Sequence, residues 1–299
     1  MNPRKAASFF WILLIFCRAV LPERALFAET SNPLASPPKD AAFIENLLHK
    51  IETRQGGWIA MKARLRLSMT AAENEKGACE GELLYQRLDE KILLTCSDPK
   101  GKTLFVLKTS DRLFELYLAA AKRIYCGTIF QLEDSPEIES HLKVLDLYRA
   151  LKPLTFLALK ARVQERGKDL VALVIQSSEE GKAGTRKIFA TDRGDVLREI
   201  YEAPNAERAT FIERFDFTPL PAAAGDAKII FPRRIEVREV SKDLTKDFRE
   251  TRIVFASVHF LPSIERAAWE NPAPKDITRQ DLREDGNPSN SKCLEDESG

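Results

Sequence analysis

The chain has 299 residues, of which 44% are hydrophobic and 30% charged, and its formal net charge is +1. These proportions are ordinary for a soluble globular protein and exclude a collagen-like, low-complexity or polytopic membrane chain. The 46 basic residues nearly equal the 45 acidic ones, so the excess of positive charge typical of a nucleic-acid-binding protein is missing.

The amino terminus has the layout of a secretory signal peptide. Residues 1–5 include two basic side chains, residues 6–17 (AASFFWILLIFC) are apolar, and a short polar stretch leads to Ala28. The apolar run is shorter than the roughly 20 residues that a membrane-spanning helix needs. We predict a cleavable signal over residues 1–28 and export to the periplasm. The alternative is a lipid anchor at Cys17, since residues 14–17 (LIFC) have the shape of a lipobox.

Export would place four remaining cysteines in an oxidising compartment that permits disulfides. They are Cys79, Cys96, Cys126 and Cys293. Two interpretations stay open: one disulfide among the first three, or three buried thiols. The sequence has no CxxC or paired Cys/His spacing typical of zinc, so we predict neither a metal nor a cofactor.

Two helices are predicted between the linker and the tail. Residues 29–39 are rich in Pro and Ser, and apolar residues then recur at helical spacing from Asp40 to about Gln55. A second helix starts at Ser135 and ends before Pro153, which cannot continue it. Residues 273–299 combine many charges with almost no aromatic side chains, and this composition predicts a disordered tail.

The rest of the chain reads as strands. Residues 61–70 (MKARLRLSMT) alternate strictly between apolar and polar, which is the period of a strand with one dry face. Further strands are predicted over residues 80–88, 91–97, 102–109, 112–118, 122–130, 161–166, 170–177, 185–191, 196–202, 208–217, 229–240 and 247–260. Most of the breaks between them are short and polar, so neighbours along the chain should pair as an antiparallel meander.

This pattern predicts one α+β, mainly antiparallel domain over residues 40–272. A single sheet of about 11–12 strands must curl or split. We expect a curved, incomplete β-barrel, a half barrel, with the helices as its lid or plug. Its inner face would then be apolar and larger than its own side chains fill, which makes a ligand cavity.

Several segments resemble the periplasmic lipoprotein carriers of the LolA/LolB type. Residues 81–87 (GELLYQR) are similar to the strand of that family with a glycine, alternating apolar residues and an arginine. Residues 110–117 (SDRLFELY) are similar to its next turn and strand, and residues 231–237 (FPRRIEV) and 269–272 (WENP) resemble its closing segments. The resemblance covers about residues 40–272. Leu88 and Arg112 stand where the family usually has proline and glycine, which indicates a divergent member.

The resemblance implies a carrier that shields the acyl chains of a lipidated protein or a lipid for transfer to the outer membrane. Each buried methylene is worth about 0.8 kcal/mol, so a chain of about fifteen carries on the order of 12 kcal/mol of transfer free energy. Such a chain cannot cross an aqueous compartment unshielded. The implied partners are an inner-membrane donor and an outer-membrane acceptor, with the protein itself a monomer that binds no nucleic acid.

Inward-facing apolar side chains and one arginine are the candidate ligand-binding residues, although core packing is the alternative role for each apolar one. By resemblance, Arg87 would hydrogen-bond carbonyl groups of the lid and hold the empty cavity shut; the alternative is a rim arginine paired with an acid. The set is Leu65, Leu67, Leu83, Tyr85, Arg87, Leu104, Val106, Phe114, Leu116, Phe211, Phe215 and Phe255.

The sequence carries no HExxH, GxSxG, P-loop or dinucleotide-binding motif. We therefore predict a binding protein with no catalytic residue. Two other functions stay open: a periplasmic regulatory or sensor module that binds a lipidated ligand or protein partner, and an enzyme that uses the half barrel as its pocket.

Overall fold

The computed structural model describes residues 38–71, 76–110, 113–132, 144–151, 161–179, 182–202, 207–223, 225, 227–241, 247–270 and 277–282. The predicted signal peptide, the start of the second predicted helix and the cysteines at both chain ends lie outside these residues. No helix in the described part of the chain is long and apolar enough to cross a membrane.

Both predicted helices have counterparts in the structure. The first, α1, spans Pro38–Gly56, and the second, α2, is described over Val144–Leu151. Short 3-10 turns occupy Ile129–Leu132 and Arg266–Trp269. The apolar stripe of α1 is buried, because the spacing of its large side chains places them on one side of the helix.

Fourteen strands in the described residues form one sheet. In chain order they are β1 Ala60–Ala71, β2 Lys76–Gln86, β3 Lys91–Ser97, β4 Thr103–Ser110, β5 Leu113–Leu118, β6 Arg123–Thr128, β7 Ala161–Arg166, β8 Leu170–Glu179, β9 Lys182–Thr191, β10 Val196–Glu202, β11 Arg208–Pro221, β12 Lys228–Ser241, β13 Asp247–Leu261 and β14 Thr278–Asp281.

The sheet consists of two antiparallel meanders joined side by side. Its order is β14-β6-β5-β4-β3-β2-β1-β13-β12-β11-β10-β9-β8-β7. The junction is the pair formed by β1, the first strand, and β13, the last long one. The two edge strands, β14 and β7, are not paired with each other, so the sheet is open rather than closed into a barrel. This confirms the predicted fold class, with fourteen strands instead of 11–12.

The strand β14 corrects one prediction, because it lies within the tail expected to be disordered. It pairs with β6 in parallel, whereas the other pairs in the described sheet are antiparallel. The Arg279 guanidinium donates to Glu115 at 2.8 Å, and the Leu282 backbone N–H donates to the Cys126 carbonyl at 2.8 Å. A four-residue polar strand has no alternation to reveal it, and its pairing depends on main-chain groups that every sequence possesses.

The structure agrees with the first interpretation of the cysteines, one disulfide among Cys79, Cys96 and Cys126. Cys79 on β2 and Cys96 on β3 form a disulfide with a Cα–Cα distance of 5.7 Å. The bond links neighbouring strands on the buried side of the sheet. Cys126 is disulfide-bonded as well, so three buried thiols is the wrong alternative.

One face of the sheet, which we call the helix face, carries both helices. Paired residues of an antiparallel sheet lie on the same face, and the register places Ile188, Glu199 and Ile212 opposite one another across β9, β10 and β11. Ile188 packs with α1, and Ile212 belongs to a large cluster that also includes residues of α2. The opposite face, the outer face, has a smaller apolar cluster that contacts Trp269.

Candidate ligand site

The centre of the helix face is a buried apolar cluster, which we call the interior cluster. It is contributed mainly by β1–β5, β12 and β13, together with α2. Seven of the predicted ligand-binding residues are brought together in it: Leu65, Leu67, Leu83, Tyr85, Phe114, Leu116 and Phe255. All seven are buried. Their contact with a ligand stays a prediction, while their contact with one another is a feature of the fold.

Two predicted residues of β4 lie on the outer face instead. Phe105 and Leu107 belong to the interior cluster, so the alternation of the strand turns Leu104 and Val106 the other way. The side chain of Leu104 is 39% exposed, and Val106 packs in the outer cluster with Tyr117. The sequence analysis assigned these two residues to the wrong face of the sheet, because β4 has apolar residues on both faces.

The same correction applies to β11. Ile212 faces the interior cluster, which places Phe211 and Phe215 on the outer face. There the Arg238 guanidinium lies 6.0 Å from the ring centroid of Phe211, and the Arg234 guanidinium lies 4.4 Å from that of Phe215. These aromatic rings are thus covered by charged side chains and do not join the interior cluster.

Arg87 ties the end of α1 to the tip of the β2–β3 hairpin. Its guanidinium Nη1 donates to the carbonyl of Gly56, the last residue of α1. Its own backbone N–H donates to the Ile59 carbonyl at 2.9 Å. A cation at a helix carboxyl end also interacts favourably with the helix dipole. The observed partner is a lid carbonyl, as the resemblance implied, and the effect on ligand release stays a prediction.

The second helix is held by the same hairpin. Tyr148, Ala150 and Leu151 of α2 are buried in the interior cluster. The Tyr148 hydroxyl donates to Glu90 Oε2 at 2.7 Å, and Glu90 lies in the turn between β2 and β3. One hairpin turn therefore contacts both helices that cover the helix face.

On its other side, α1 rests on the turn between β9 and β10. The Lys50 ammonium donates to the Asp192 carbonyl at 3.1 Å, and Arg54 forms an ion pair with Asp195 at 3.4 Å. Gly194 of this turn has a φ of 89°, and a Cβ added there would lie 2.7 Å from the carbonyl carbon of Lys50. Glycine is required for both the backbone conformation and the close approach.

We predict that Gly194→Ala destabilises the protein by about 2 kcal/mol or more. The left-handed conformation alone costs an alanine roughly 1–2 kcal/mol, and the backbone of α1 must also move away. Gly101→Ala is the matched control, since Gly101 has a φ of 81° with open space around its Cβ position. Urea unfolding of both variants measures the difference. Equal losses would contradict a close contact between this turn and α1.

A pocket, which we call the lid pocket, opens between the carboxyl end of α1, α2, the β9–β10 turn, β11 and β12. The space in it that water can reach is about 60 Å³, room for only a few water molecules. A long hydrocarbon chain is larger than this space, so we expect the helices to move when such a chain binds. The apolar part of its wall includes Trp58, Met61, Leu151, Val196, Phe231 and Ile235.

Three charged side chains also line the lid pocket, and one of them belongs to a buried ionic cluster. They are Arg54, Asp195 and Arg214. Arg214 on β11 and Arg186 on β9 both form ion pairs with Glu199 on β10, whose side chain is fully buried. The Arg186 Nε donates to Glu199 Oε2 at 3.0 Å.

The protonation of Glu199 is set by two opposing effects. Burial raises the pKa of this carboxyl group, but the guanidinium groups of Arg186 and Arg214 outweigh it and hold the pKa below the ordinary 4.5. Glu199 is therefore a carboxylate at neutral pH. The Tyr201 hydroxyl contributes a weak contact of 3.4 Å to Oε2.

Sequence reasoning missed this ionic cluster. A register shift between Val196 and Arg198 changes the phase of β10, so alternation along the strand does not show that Glu199 faces inward. The strand β11 could have revealed it, because Arg214 lies two residues after Ile212 and the two side chains therefore face the same side of the sheet. In the described residues, no group of three or more His, Cys, Asp or Glu side chains is arranged to hold a metal ion.

An open antiparallel sheet with two helices on one face is the architecture of a half barrel. No family model and no curated protein matches the sequence, but solved structures match the fold. A LolA superfamily protein from Nitrosomonas europaea has 7% identity and a TM-score of 0.53, over 76% of this chain and 97% of that one. A putative outer membrane lipoprotein-sorting protein domain from Vibrio parahaemolyticus has 11% identity and a TM-score of 0.53, over 74% and 95%.

These matches show that the chain has the LolA-like fold, in a strongly divergent sequence. They confirm the fold implied by the resemblance of residues 81–87 and the later segments. At this level of identity the similarity establishes only the architecture. The kind of ligand is inferred from the residues of this chain.

Proposed function

We propose that the protein is a periplasmic carrier or binding protein that shields acyl chains of lipoproteins or lipids between its sheet and its helices, for transfer to the outer membrane. The observation that carries this proposal is the apolar helix face of the sheet, on which α2 packs against the interior cluster and α1 packs against β8–β10. Both helices are held by the β2–β3 hairpin turn. Such a cover can move without breaking the pairing of the strands. The LolA-like fold supports the same function.

The free energies involved favour an opening of the helices that is driven by ligand binding. A hydrogen bond to a charged group contributes about 1.5–3 kcal/mol, which applies to the Arg87–Gly56 and Tyr148–Glu90 contacts. One acyl chain of about fifteen methylenes brings on the order of 12 kcal/mol of transfer free energy. Loss of both contacts therefore costs less than exposure of the chain to water, so the opened protein is the favoured place for a chain that leaves its donor.

The proposal assigns the protein a binding role without catalysis. Residues 1–28 direct export, an inner-membrane component supplies the acylated cargo, and an outer-membrane component accepts it. The direction of transfer then comes from tighter binding at the receiving site, since the sequence carries no nucleotide-binding motif.

Native mass spectrometry of the protein purified from the periplasm tests this function. We expect adducts with the mass of lipids or of an acylated protein, and renewed uptake of phospholipid from vesicles after delipidation. An empty protein that takes up no lipid would overturn the proposal. Isolation of an empty protein in a stable complex with another protein would favour the regulatory alternative and also count against a carrier.

Arg87→Leu is expected to leave folding intact and to slow ligand release about tenfold. The substitution removes the hydrogen bond to Gly56, worth about 1.5 kcal/mol or more, and so disfavours the closed, empty state. Transfer of a fluorescent acyl lipid from the protein to acceptor vesicles measures the rate. Arg233→Leu is the control, because Arg233 also donates to a backbone carbonyl, but that carbonyl belongs to Ala256 on the strand β13 and not to a helix. Unchanged transfer in Arg87→Leu would refute the lid role.

A further inference from the structure

Arg214 is the most deeply buried of the three charged side chains that line the lid pocket, since Arg54 and Asp195 are more exposed. Its side chain is only 6% exposed, and it lies in the wall of the lid pocket beside Ile235, its cross-strand neighbour. Its Nη1 atom pairs with Glu199 Oε1 at 2.5 Å, and it shares this one carboxylate with Arg186. A buried charge is costly unless it is paired and well hydrogen-bonded.

Hydrocarbon alone gives no reason for a guanidinium at this position. An uncharged chain lying against Trp58 and Phe231 would leave Arg214 further from water without a new partner. An anionic group at the head of that chain would instead accept hydrogen bonds from the planar fork of the guanidinium, which matches carboxylate and phosphate oxygens in two-point contacts. The pocket thus combines an apolar wall with one buried anion-binding side chain.

We propose that Arg214 binds the anionic group of an amphiphilic ligand, a carboxylate or phosphate attached to a hydrocarbon chain, while the chain lies on the interior cluster. This inference rests on the proposed function and adds the chemical class of the ligand. Glu199 is the resident counter-ion of the empty state. It keeps its second partner, Arg186, when Arg214 turns towards the ligand, so no carboxylate is left without a cation.

Trp58 provides the readout, because its indole lines the lid pocket. The probes are brominated palmitate and its methyl ester, which have the same chain and differ in charge, with quenching of tryptophan fluorescence as the signal. Trp58→Phe should remove the quenching and so shows that binding is at the lid pocket. A second pair, palmitoyl lysophosphatidate and monopalmitoylglycerol used as competitors, distinguishes a phosphate from a carboxylate ligand.

We expect the acid to bind at least tenfold more tightly than its ester in the native protein. Arg214→Gln should abolish this preference and change the affinity for the ester less than threefold, whereas Arg214→Lys should keep part of it. Arg198→Gln is the matched control, since Arg198 pairs with Glu213 on the outer face, and it should keep the full preference.

The outcomes separate the inference from the function on which it rests. Equal affinities of acid and ester in the native protein would overturn the role of Arg214 and leave the shielding of acyl chains standing. Absence of Trp58 quenching by both probes would overturn both. Because the native comparison needs no substitution, the result does not depend on whether Arg214→Gln folds.

Discussion

Glu199→Gln is expected to lower the free energy of unfolding by about 3–5 kcal/mol, the usual consequence of removing one partner from a buried ion pair. The carboxylate is fully buried and serves both Arg186 and Arg214. A neutral amide would leave both guanidinium groups beneath the helices without their counter-ion. Equilibrium unfolding in urea, followed by far-UV circular dichroism, measures the loss.

Glu213→Gln is the matched control for this effect. Glu213 also lies between two arginines, Arg198 and Arg238, but on the outer face, where both arginine side chains are about 30% exposed. Solvent screens those charges, so we expect a loss of about 1 kcal/mol or less. If Glu199→Gln lowers the free energy of unfolding no more than Glu213→Gln does, the ionic cluster around Glu199 is not buried in solution.

The pH dependence follows from the lowered pKa of Glu199. The folded-state pKa lies below the ordinary value of 4.5, so the stabilisation by the carboxylate is fully present above pH 4.5. It is lost as the pH falls through the folded-state pKa. The stability difference between the native protein and Glu199→Gln should therefore shrink below pH 4.5 and stay constant between pH 6 and 8. A difference that grows on acidification would contradict the ion-pair assignment.

Local patterns predicted most of the elements because those elements bury one face. The helix from Asp40 and the strand over residues 61–70 are the clearest cases, since period and burial agree in both. The strand β14 was missed because its four polar residues show no apolar alternation, and because neither its main-chain pairing with β6 nor the Arg279–Glu115 contact can be read from one segment alone. The junction of β1 with β13 was also beyond local reasoning, as residues far apart in sequence form it.

The inward position of candidate residues could be read from the sequence where only one strand face is apolar, as in β1, where Leu65 and Leu67 lie in the interior cluster. Leu83 and Tyr85 on β2 lie there too, although Leu84 between them packs on the outer face. Arg87 was found near the lid through a family resemblance, and ligand contact stays a prediction for all of them. Leu104 and Phe211 were placed on the wrong face, since their strands carry large apolar residues in both phases. Which face points inward is decided by packing across the sheet, and a single strand does not contain that information.

Phe114→Ala is expected to cost about 3–5 kcal/mol of unfolding free energy, as for other large-to-small substitutions in a packed core. Phe114 has no exposed surface and lies within the interior cluster. The same substitution enlarges the space in which we propose that an acyl chain binds. An apolar void of this kind stays dry and accepts hydrocarbon, so added palmitate should raise the melting temperature of the variant more than that of the native protein.

Leu104→Ala separates this packing effect from a general loss of apolar surface. Leu104 lies on the neighbouring strand but faces outward and is 39% exposed, so its truncation should cost under about 1 kcal/mol and leave the response to palmitate unchanged. If Phe114→Ala gained no more stability from palmitate than the native protein, the interior cluster would be an ordinary core. Equal costs for the two substitutions would show that the faces of the sheet are assigned incorrectly. The pair of variants therefore tests the orientation of the sheet and the position of the acyl chain by separate readouts.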